Sequence, residues 1–261
     1  MKPKFLISCL LLFSININAQ KLNRAELEIK KNIEEIQNYT YTESPDLDID
    51  GFCFLTAQKT VKLLSKTKLT AGKAKAIGLE ISANNEKFGI TIGTFSYNSG
   101  GTRGNVSHPI IQWKNRDGKL FAYNLSSKIN CNFMSIEPLK SKDRDQFLLF
   151  GMEKGDGACE QSMVYAIEIK NDFLIVDNPV FVNRPYLNLC NMNFDFDQKK
   201  QILYGSLMYD GADNRMKSNV EYEQGEYSKS KKHNDALLKL LKFGQKKDVK
   251  LKFDGTKFTG L

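Results

Sequence analysis

Near its start, the chain carries apolar residues at intervals of three and four, which predicts an amphipathic helix. Asn23 and Glu26 have the spacing of a capping box, so this helix should begin there, and Leu22 and Leu27 occupy the hydrophobic-staple positions. Glu26 and Lys30 are ordered for an i,i+4 ion pair on the solvent-facing side. The apolar stripe consists of Leu22, Ala25, Ile29, Ile33 and Ile36.

A second helix is predicted over about residues 52–65, after a polar loop at 40–51 that contains Pro45. Its lysines, Lys59, Lys62 and Lys66, should remain in solvent. The residues expected to face inward are Phe54, Ala57, Val61 and Leu64.

From about residue 75 the period of the apolar pattern changes to two, which predicts strands. Ile90 and Ile92 alternate with polar residues, and Phe95 and Tyr97 continue the alternation one position out of step. The change of step lies beside Gly93, which indicates a β-bulge at that point.

The clearest hairpin surrounds the turn Arg116-Asp117-Gly118. If Gly118 takes the left-handed position of a three-residue loop, Trp113 faces Phe121 and Ile111 faces Tyr123. Both pairs are apolar, so the turn and the strand pattern agree.

Other strands and hairpins follow, and their turns come at irregular intervals, which excludes a propeller or solenoid. We therefore predict an α+β fold, mostly antiparallel β as a hairpin-rich sheet or sandwich, with two N-terminal helices. A polar, lysine-rich excursion is expected at 210–236, and a short helix at 236–243. The remaining predicted strands are 147–150, 163–169, 173–176, 192–197, 202–209, 249–253 and 257–258.

Residues 1–19 have the pattern of a secretory signal peptide. Lys2 and Lys4 precede an apolar run from Phe5 to Ile15, and Ala19 is a small residue at the cleavage point. A lipobox ending at Cys9 is the alternative, although the apolar run continues past that cysteine. We expect one secreted or periplasmic domain at 20–261, helical over about 21–68 and β-rich over 75–261.

Cleavage of the leader would leave four cysteines. An even number of cysteines in an exported chain predicts two disulfides of unknown connectivity, and buried free thiols are the alternative. There is no C-x-x-C spacing, so a redox dithiol or a zinc knuckle is not indicated. The disulfide candidates are Cys53, Cys131, Cys159 and Cys190.

The formal charge is +8, and removal of Lys2 and Lys4 leaves about +6 on the mature chain. The excess is carried by lysine, since only six of the 38 basic residues are arginines. A lysine-rich surface favours solubility, with loose attraction to an anionic envelope polymer as the alternative. The lysine-rich stretch 228–252 has little aromatic interleaving, so nucleic-acid binding is not predicted, nor is a membrane span.

Candidate chemistry is sparse. His108 precedes Pro109 and is expected at a surface or hairpin edge, with a catalytic base as the alternative, and His233 lies in the lysine-rich excursion. The run 99–104 lacks the ending of a phosphate loop and is interpreted as a strand connection, or as a binding loop that uses Arg103. No catalytic, cofactor-binding or metal residue is therefore assigned, and no cofactor is expected.

Two acidic stretches keep alternatives open. Asp46, Asp48, Asp50 and Gly51 match the first half of a calcium loop, but Ala57 takes the place of its bidentate glutamate, so an acidic segment before a helix is the other interpretation. Paired carboxylates of a glycosidase would have to come from the glycine-rich loop 151–161. Its acidic residues are Glu153, Asp156 and Glu160.

The stretch FGITIGTFSYNSGGT at 88–102, followed by Ile110-Ile111-Gln112-Trp113, resembles secreted proteins of the Bacteroides–Flavobacterium group that have no known activity. The later FLLFGMEKGDGACEQSMVYAIEI is similar to a strand, cysteine-bearing loop and strand of that family. A Trp-Asp pair of the family is missing at 95–97, and Asn98 also departs from its pattern. The resemblance implies a secreted compartment and a β architecture.

Taken together, these features favour a non-enzymatic binding or structural domain at the bacterial envelope, acting through sheet surfaces and through the loops around 98–107 and 151–160. Its partner would be an envelope polymer or another secreted protein. The alternatives are a carboxylate-dependent hydrolase of glycans, and an inhibitor or partner of another secreted protein that uses the N-terminal helix.

Overall fold

The computed structural model describes residues 22–40, 46–100, 104–156, 159–207 and 249–261. Three helices come first: α1 at Arg24–Gln37, α2 at Ile49–Leu64 and α3 at Ala71–Ile77. The predicted helical start of the chain is thus confirmed, but α3 was not predicted, and α2 begins earlier than expected because Asp48 caps it.

The described part of the chain then forms thirteen strands, joined by antiparallel pairings. This confirms the mostly antiparallel β character predicted from the alternating pattern. The strands are β1 Glu80–Asn85, β2 Ile90–Asn98, β3 Asn105–Lys114, β4 Leu120–Asn124, β5 Asn132–Pro138, β6 Asp145–Asp156, β7 Cys159–Lys170, β8 Phe173–Ile175, β9 Tyr186–Cys190, β10 Met192–Asp197, β11 Ile202–Leu207, β12 Val249–Phe253 and β13 Phe258–Gly260.

These strands form three sheets. The N-terminal sheet has the order β1-β2-β3-β4, and the C-terminal sheet has the order β10-β11-β12-β13. In the central sheet, β5-β6-β7-β8 follow one another, and β9 also pairs with β7, beyond β8 along the same strand. Within each sheet, consecutive strands are therefore neighbours, except that β9 pairs with β7 and not with β8.

The helices and the three sheets form four layers, and an apolar cluster lies between each neighbouring pair of layers. The first joins the helical layer (α1, α2 and α3) to the N-terminal sheet, the second joins the N-terminal sheet to the central sheet, and the third joins the central sheet to the C-terminal sheet. Phe147 and Leu149 of β6 belong to the second cluster, while Leu148 and Phe150 belong to the third. The central sheet is consequently apolar on both faces, and β6 has a continuous apolar run where a half-exposed strand would alternate.

The change of step beside Gly93 has a different cause from the predicted bulge in β2. This strand alternates regularly, with Ile90 and Ile92 facing the central sheet and Phe95 facing the helices. The bulge lies in the partner strand β1, between Ile81 and Ala83. Gly93 is needed because Leu69 and Leu79 pack over it, and a Cβ there would lie 3.0 Å and 3.2 Å from their methyl groups.

The predicted hairpin at 111–123 is confirmed in detail. Trp113 pairs with Phe121 and Ile111 pairs with Tyr123. Gly118 has a φ of 81°, the left-handed conformation that the three-residue loop requires. The Trp113 and Phe121 rings are stacked with centroids 5.6 Å apart, so the local pattern was sufficient to predict the register.

The helix faces agree with the prediction only in part. Ile29, Ile33 and Ile36 are buried as expected, but Phe54 is 49% exposed. The buried face of α2 is instead formed by Cys53, Thr56, Ala57, Thr60 and Leu64.

The leader, the excursion at 210–236 and the helix predicted at 236–243 lie outside the described residues. The secreted address therefore stays a prediction. Within the described ranges, no helix has both the length and the apolar character needed to cross a bilayer.

Candidate binding cleft

The interface between the N-terminal and central sheets begins apolar and ends polar. At one end, Ile92 of β2 pairs with Ile111 of β3 in the second cluster. Further along the same face, Ser96 pairs with Ser107, and Asn98 pairs with Asn105 at the strand ends. The apolar core therefore stops partway along β2 and β3, and hydroxyl and amide groups take its place.

A cleft of about 720 Å³ opens where this polar ladder begins. All three of the layers that meet there contribute to it: the helical layer, the N-terminal sheet and the first two strands of the central sheet. Its lining residues are Gln37, Lys75, Gly78, Leu79, Glu80, Thr94, Phe95, Ser96, Asn105, Ser107, Asn132, Met134, Met152 and Glu153.

The charges of the cleft come from one lysine and two glutamates, Lys75, Glu80 and Glu153. The basic excess of the chain is therefore not concentrated here. Met134 is 52% exposed and adds a flexible apolar surface to the polar lining. Such a mixture suits a ligand with both hydroxyl or amide groups and small apolar parts.

The two regions expected to bind a partner meet in this cleft. Asn105 and Ser107 come from the region 98–107, and Met152 and Glu153 come from the region 151–160. The second region is a continuation of the β6–β7 hairpin, whereas the sequence suggested an irregular glycine-rich loop. Of the three acidic candidates there, Glu153 lines the cleft, and the side chains of Asp156 and Glu160 lie outside the described part.

The cleft residues Gln37, Lys75 and Glu80 were not predicted. Gln37 comes from the end of α1, and Lys75 and Glu80 come from α3 and from the first residue of β1, about forty residues further along the chain. No local pattern marks them, because only the packing of the helical layer against the N-terminal sheet brings them together.

Behind the cleft, His108 lies in the interior and not at the expected surface or hairpin edge. It is 5% exposed and is stacked on Phe95 and Tyr97, with ring centroids 5.1 Å and 5.9 Å away. Burial lowers its pKa from 6.5 to about 4, against an opposing effect from the carboxylate of Asp50. His108 was expected at the surface because it precedes Pro109 at a strand start, and that local sequence does not reveal that β3 is covered on both faces.

The acidic motif at 46–51 forms the start of α2. Asp48 accepts a hydrogen bond from the Gly51 amide (3.0 Å), and Asp50 accepts one from the Tyr97 hydroxyl (2.9 Å). Asp48 thus caps α2, and Asp50 contacts a strand. This agrees with the alternative interpretation of the motif as an acidic segment before a helix. Among the described residues, no group of three or more His, Cys, Asp or Glu side chains is placed to hold a metal ion.

A buried ion pair connects α1 with α3. Glu26 was expected to pair with Lys30 in solvent, which is wrong: its Oε1 accepts a 2.6 Å hydrogen bond from Lys73, and both side chains are less than 10% exposed. Its Oε2 accepts a hydrogen bond from the backbone N–H of Asn23, which confirms the capping box. Lys73 and the Asn23 amide together hold the pKa of Glu26 below its usual value. Lys30 pairs instead with Glu34.

Gln112 joins the helical layer to β3 through the backbone. Its Nε2 donates to the carbonyls of Leu64 and Thr67, and its Oε1 accepts from the Leu69 amide. The side chain is 3% exposed, so these groups have no access to water as a substitute. This contact fixes the segment between α2 and α3 that precedes the helical wall of the cleft.

The expected pairing of four cysteines is wrong for two of them. Cys53 and Cys131 are free thiols, completely buried in different apolar clusters, and burial raises the pKa of Cys53 to about 12. Cys190 takes part in a disulfide, and the side chain of Cys159 lies outside the described part of the chain. Both free thiols thus behave as small apolar core residues.

Comparison with known proteins adds no further constraint: no protein-family model, curated protein or solved structure matches the chain. The resemblance to secreted proteins of the Bacteroides–Flavobacterium group therefore stays a prediction. Function has to be argued from the cleft itself.

Proposed function

We propose that this chain is an exported binding domain of the bacterial envelope, and that the cleft holds a short segment of an uncharged envelope glycan. One observation carries the proposal. The interface between two sheets changes from paired isoleucines to paired serines and asparagines at the point where the cleft opens. A purely structural domain gains nothing from such a change, whereas a binding site needs groups that both donate and accept hydrogen bonds.

The charges of the cleft favour an uncharged ligand. Two glutamates and one lysine line it, so a polyanion would meet net negative charge there in spite of the basic chain. The leader at 1–19 supports the extracytoplasmic address.

The test uses isothermal titration of the full mature chain with an N-acetylglucosamine trimer and with a polygalacturonate. We expect binding of the trimer and none of the acidic polymer. Ser96→Tyr would fill the cleft and abolish binding, because Ser96 lies in its wall. Thr91→Tyr is the matched control, since Thr91 lies on the same strand but on its other face, outside the cleft. Equal binding by both variants would refute the cleft as the site.

Hydrolysis is a second candidate, favoured by the presence of Glu80 and Glu153 in one cleft. A glycosidase needs one carboxyl as acid and another as base or nucleophile. Glu80→Gln and Glu153→Gln should then each abolish release of reducing ends from the same trimer, while leaving its binding intact. A wild-type protein that binds the trimer without cleaving it excludes this candidate and leaves the binding function in place.

A further inference from the structure

The polar groups around His108 are incompletely satisfied. In the described part of the chain, three buried side-chain nitrogen atoms have no hydrogen-bond partner: both ring nitrogens of His108 and Nδ2 of Asn124. The two residues lie on the same face of neighbouring strands, since Asn124 pairs with Ile110, two residues beyond His108. An unpaired buried polar group is costly, so this concentration at one place calls for a functional explanation.

The surroundings of His108 suit a neutral ring only. Phe95 and Tyr97 of β2 stack on the imidazole, and Tyr39, which follows α1, packs edge-on against Tyr97 with centroids 5.8 Å apart. Asp50 of α2 acts on His108 through its charge, but its Oδ1 is already used by the Tyr97 hydroxyl.

The titratable groups around the ring, taken over all the elements packed there, are two tyrosines, one aspartate and one thiol. Cys53 is the thiol, on the buried face of α2, and β4 contributes Asn124, which does not titrate. A proton on His108 would therefore create a second N–H donor without an acceptor, and the carboxylate that acts on the new charge, Asp50, already accepts the hydrogen bond of Tyr97. Water can solvate that charge only if the helical layer moves off the N-terminal sheet.

This movement would reach the cleft directly. Phe95 both stacks on His108 and lines the cleft. Gln37, Lys75 and Leu79, from α1, α3 and the residue before β1, form its helical wall. Separation of the helical layer from the sheet would move that wall away from Ser96 and Ser107, which line the cleft with it.

We infer that His108 is an acid-sensitive latch: its protonation releases the helical layer from the N-terminal sheet and opens the cleft, so that bound ligand is lost in acid. The release of ligand rests on the proposed function, whereas the movement of the helices does not. The pKa of His108 is lower in the closed state than in an open, solvated state, so the closed state binds fewer protons. Closure is then fully favoured above about pH 6.5 and weakens by up to about tenfold per pH unit toward pH 4.

The first measurement follows amide hydrogen exchange of the mature chain from pH 7 to pH 4, corrected for the intrinsic pH dependence of exchange. We expect protection of α1, α2 and α3 to fall progressively below pH 6.5, while β6 and β7 stay protected. His108→Phe keeps an aromatic ring in the stack and cannot be protonated, so it should abolish the fall. His233→Phe removes the other histidine and should behave as the wild type. Identical profiles for His108→Phe and the wild type would refute the latch.

A second measurement needs no variant and so does not depend on the folding of one. The ring resonances of His108 in the wild-type chain should report a neutral imidazole down to pH 5, because the open state is still a minor one there. Below pH 5 the ring should titrate over the same range in which the helices lose their remaining protection. Titration near pH 6.5 without any change in the helices would refute the proposal.

Binding of the N-acetylglucosamine trimer at pH 7 and pH 4.5 separates the two proposals. A fall in affinity of tenfold or more in the wild type, absent in His108→Phe, supports both. Helix release in acid without any trimer binding at pH 7 refutes the proposed ligand and leaves the latch. Binding that is equal at both pH values refutes the latch and leaves the proposed ligand.

Discussion

The central sheet and the helical layer are held in place by different kinds of contact. Phe147, Leu148, Leu149 and Phe150 of β6 alternate between two apolar clusters, so the central sheet is fixed by burial on both faces. The helical layer shares one apolar cluster with the N-terminal sheet and depends in addition on specific polar groups: the Glu26–Lys73 pair, the Gln112 side chain and the neutral ring of His108.

This difference predicts which region of the molecule is sensitive to pH. The free energy gained by burying apolar side chains changes little between pH 4 and pH 7. The free energy contributed by buried ionisable groups does change, because their protonation depends on pH. The cleft lies between the two regions, with one wall from the insensitive part and one from the sensitive part. A set of paired substitutions can test this contrast.

The largest effect is expected in the central sheet. Phe147→Ala should lower the free energy of unfolding by about 4 kcal/mol, because the ring is 2% exposed in the second cluster. Urea denaturation at pH 7 and pH 5 should give the same loss. Phe173→Ala on the edge strand β8 is the control, since that ring is 72% exposed and should cost less than about 0.5 kcal/mol. A loss that depends strongly on pH would contradict the contrast.

Breaking the buried ion pair should cost about 3 kcal/mol at pH 7, because Lys73→Met leaves the Glu26 carboxylate buried without its partner. The folded-state pKa of Glu26 lies below its ordinary value of 4.5, so the contribution of the pair is complete above that pH and is lost as the pH falls through the folded-state pKa. The difference from wild type in urea denaturation should therefore shrink in acid.

An exposed pair gives the control for this prediction. Lys59→Met removes a contact to Glu28 in which both side chains are about half exposed, so it should cost far less stability than Lys73→Met. The double variant Glu26→Leu/Lys73→Met should recover most of the stability lost in Lys73→Met. Equal losses for Lys59→Met and Lys73→Met would show that burial does not distinguish the two pairs.

The third effect in size comes from adding one methyl group, which should destabilise the central sheet but not the helical layer. Gly151→Ala places a Cβ 2.6 Å from both the Asn132 carbonyl oxygen and the Cys131 sulfur, so we expect a loss of about 2 kcal/mol. Gly72→Ala in α3 meets no atom within 4 Å and should stabilise the protein by about 0.5 kcal/mol. Thermal unfolding of both variants checks the pair, and a stable Gly151→Ala would show that β5 can move away from β6.

The smallest effect is expected in the hairpin of β3 and β4. A double-mutant cycle on Trp113 and Phe121 should give a coupling energy of about 1 kcal/mol for the stacked rings. A coupling near zero would show that the register depends on the turn at Gly118 alone.

Local contacts were predictable from the sequence. The capping box at Asn23 and the pairing of Trp113 with Phe121 involve residues close together in the chain, so their spacing was enough to predict them. The regions 98–107 and 151–160 were predicted to bind a partner, which stays a prediction, and both contribute lining residues to the cleft. Lys75 and Glu80 were missed, because their place in the cleft depends on contacts between distant parts of the chain.

The strands covered on both faces explain the main errors. In β2, an apolar set facing the central sheet and another facing the helices produced a change of step that imitates a bulge. His108 was expected at the surface because nothing near it in the sequence shows that α2 covers β3.

The sequence by itself determined the hairpins, their turns and the start of the first helix, since these depend on backbone preferences and contacts within a few residues. Only the tertiary structure decided which face of each strand is buried, that Glu26 belongs to Lys73, and that a histidine remains unpaired beneath a helix. Those outcomes depend on burial and on the loss of water around charged and polar groups, and both arise only when separate layers of the fold come together.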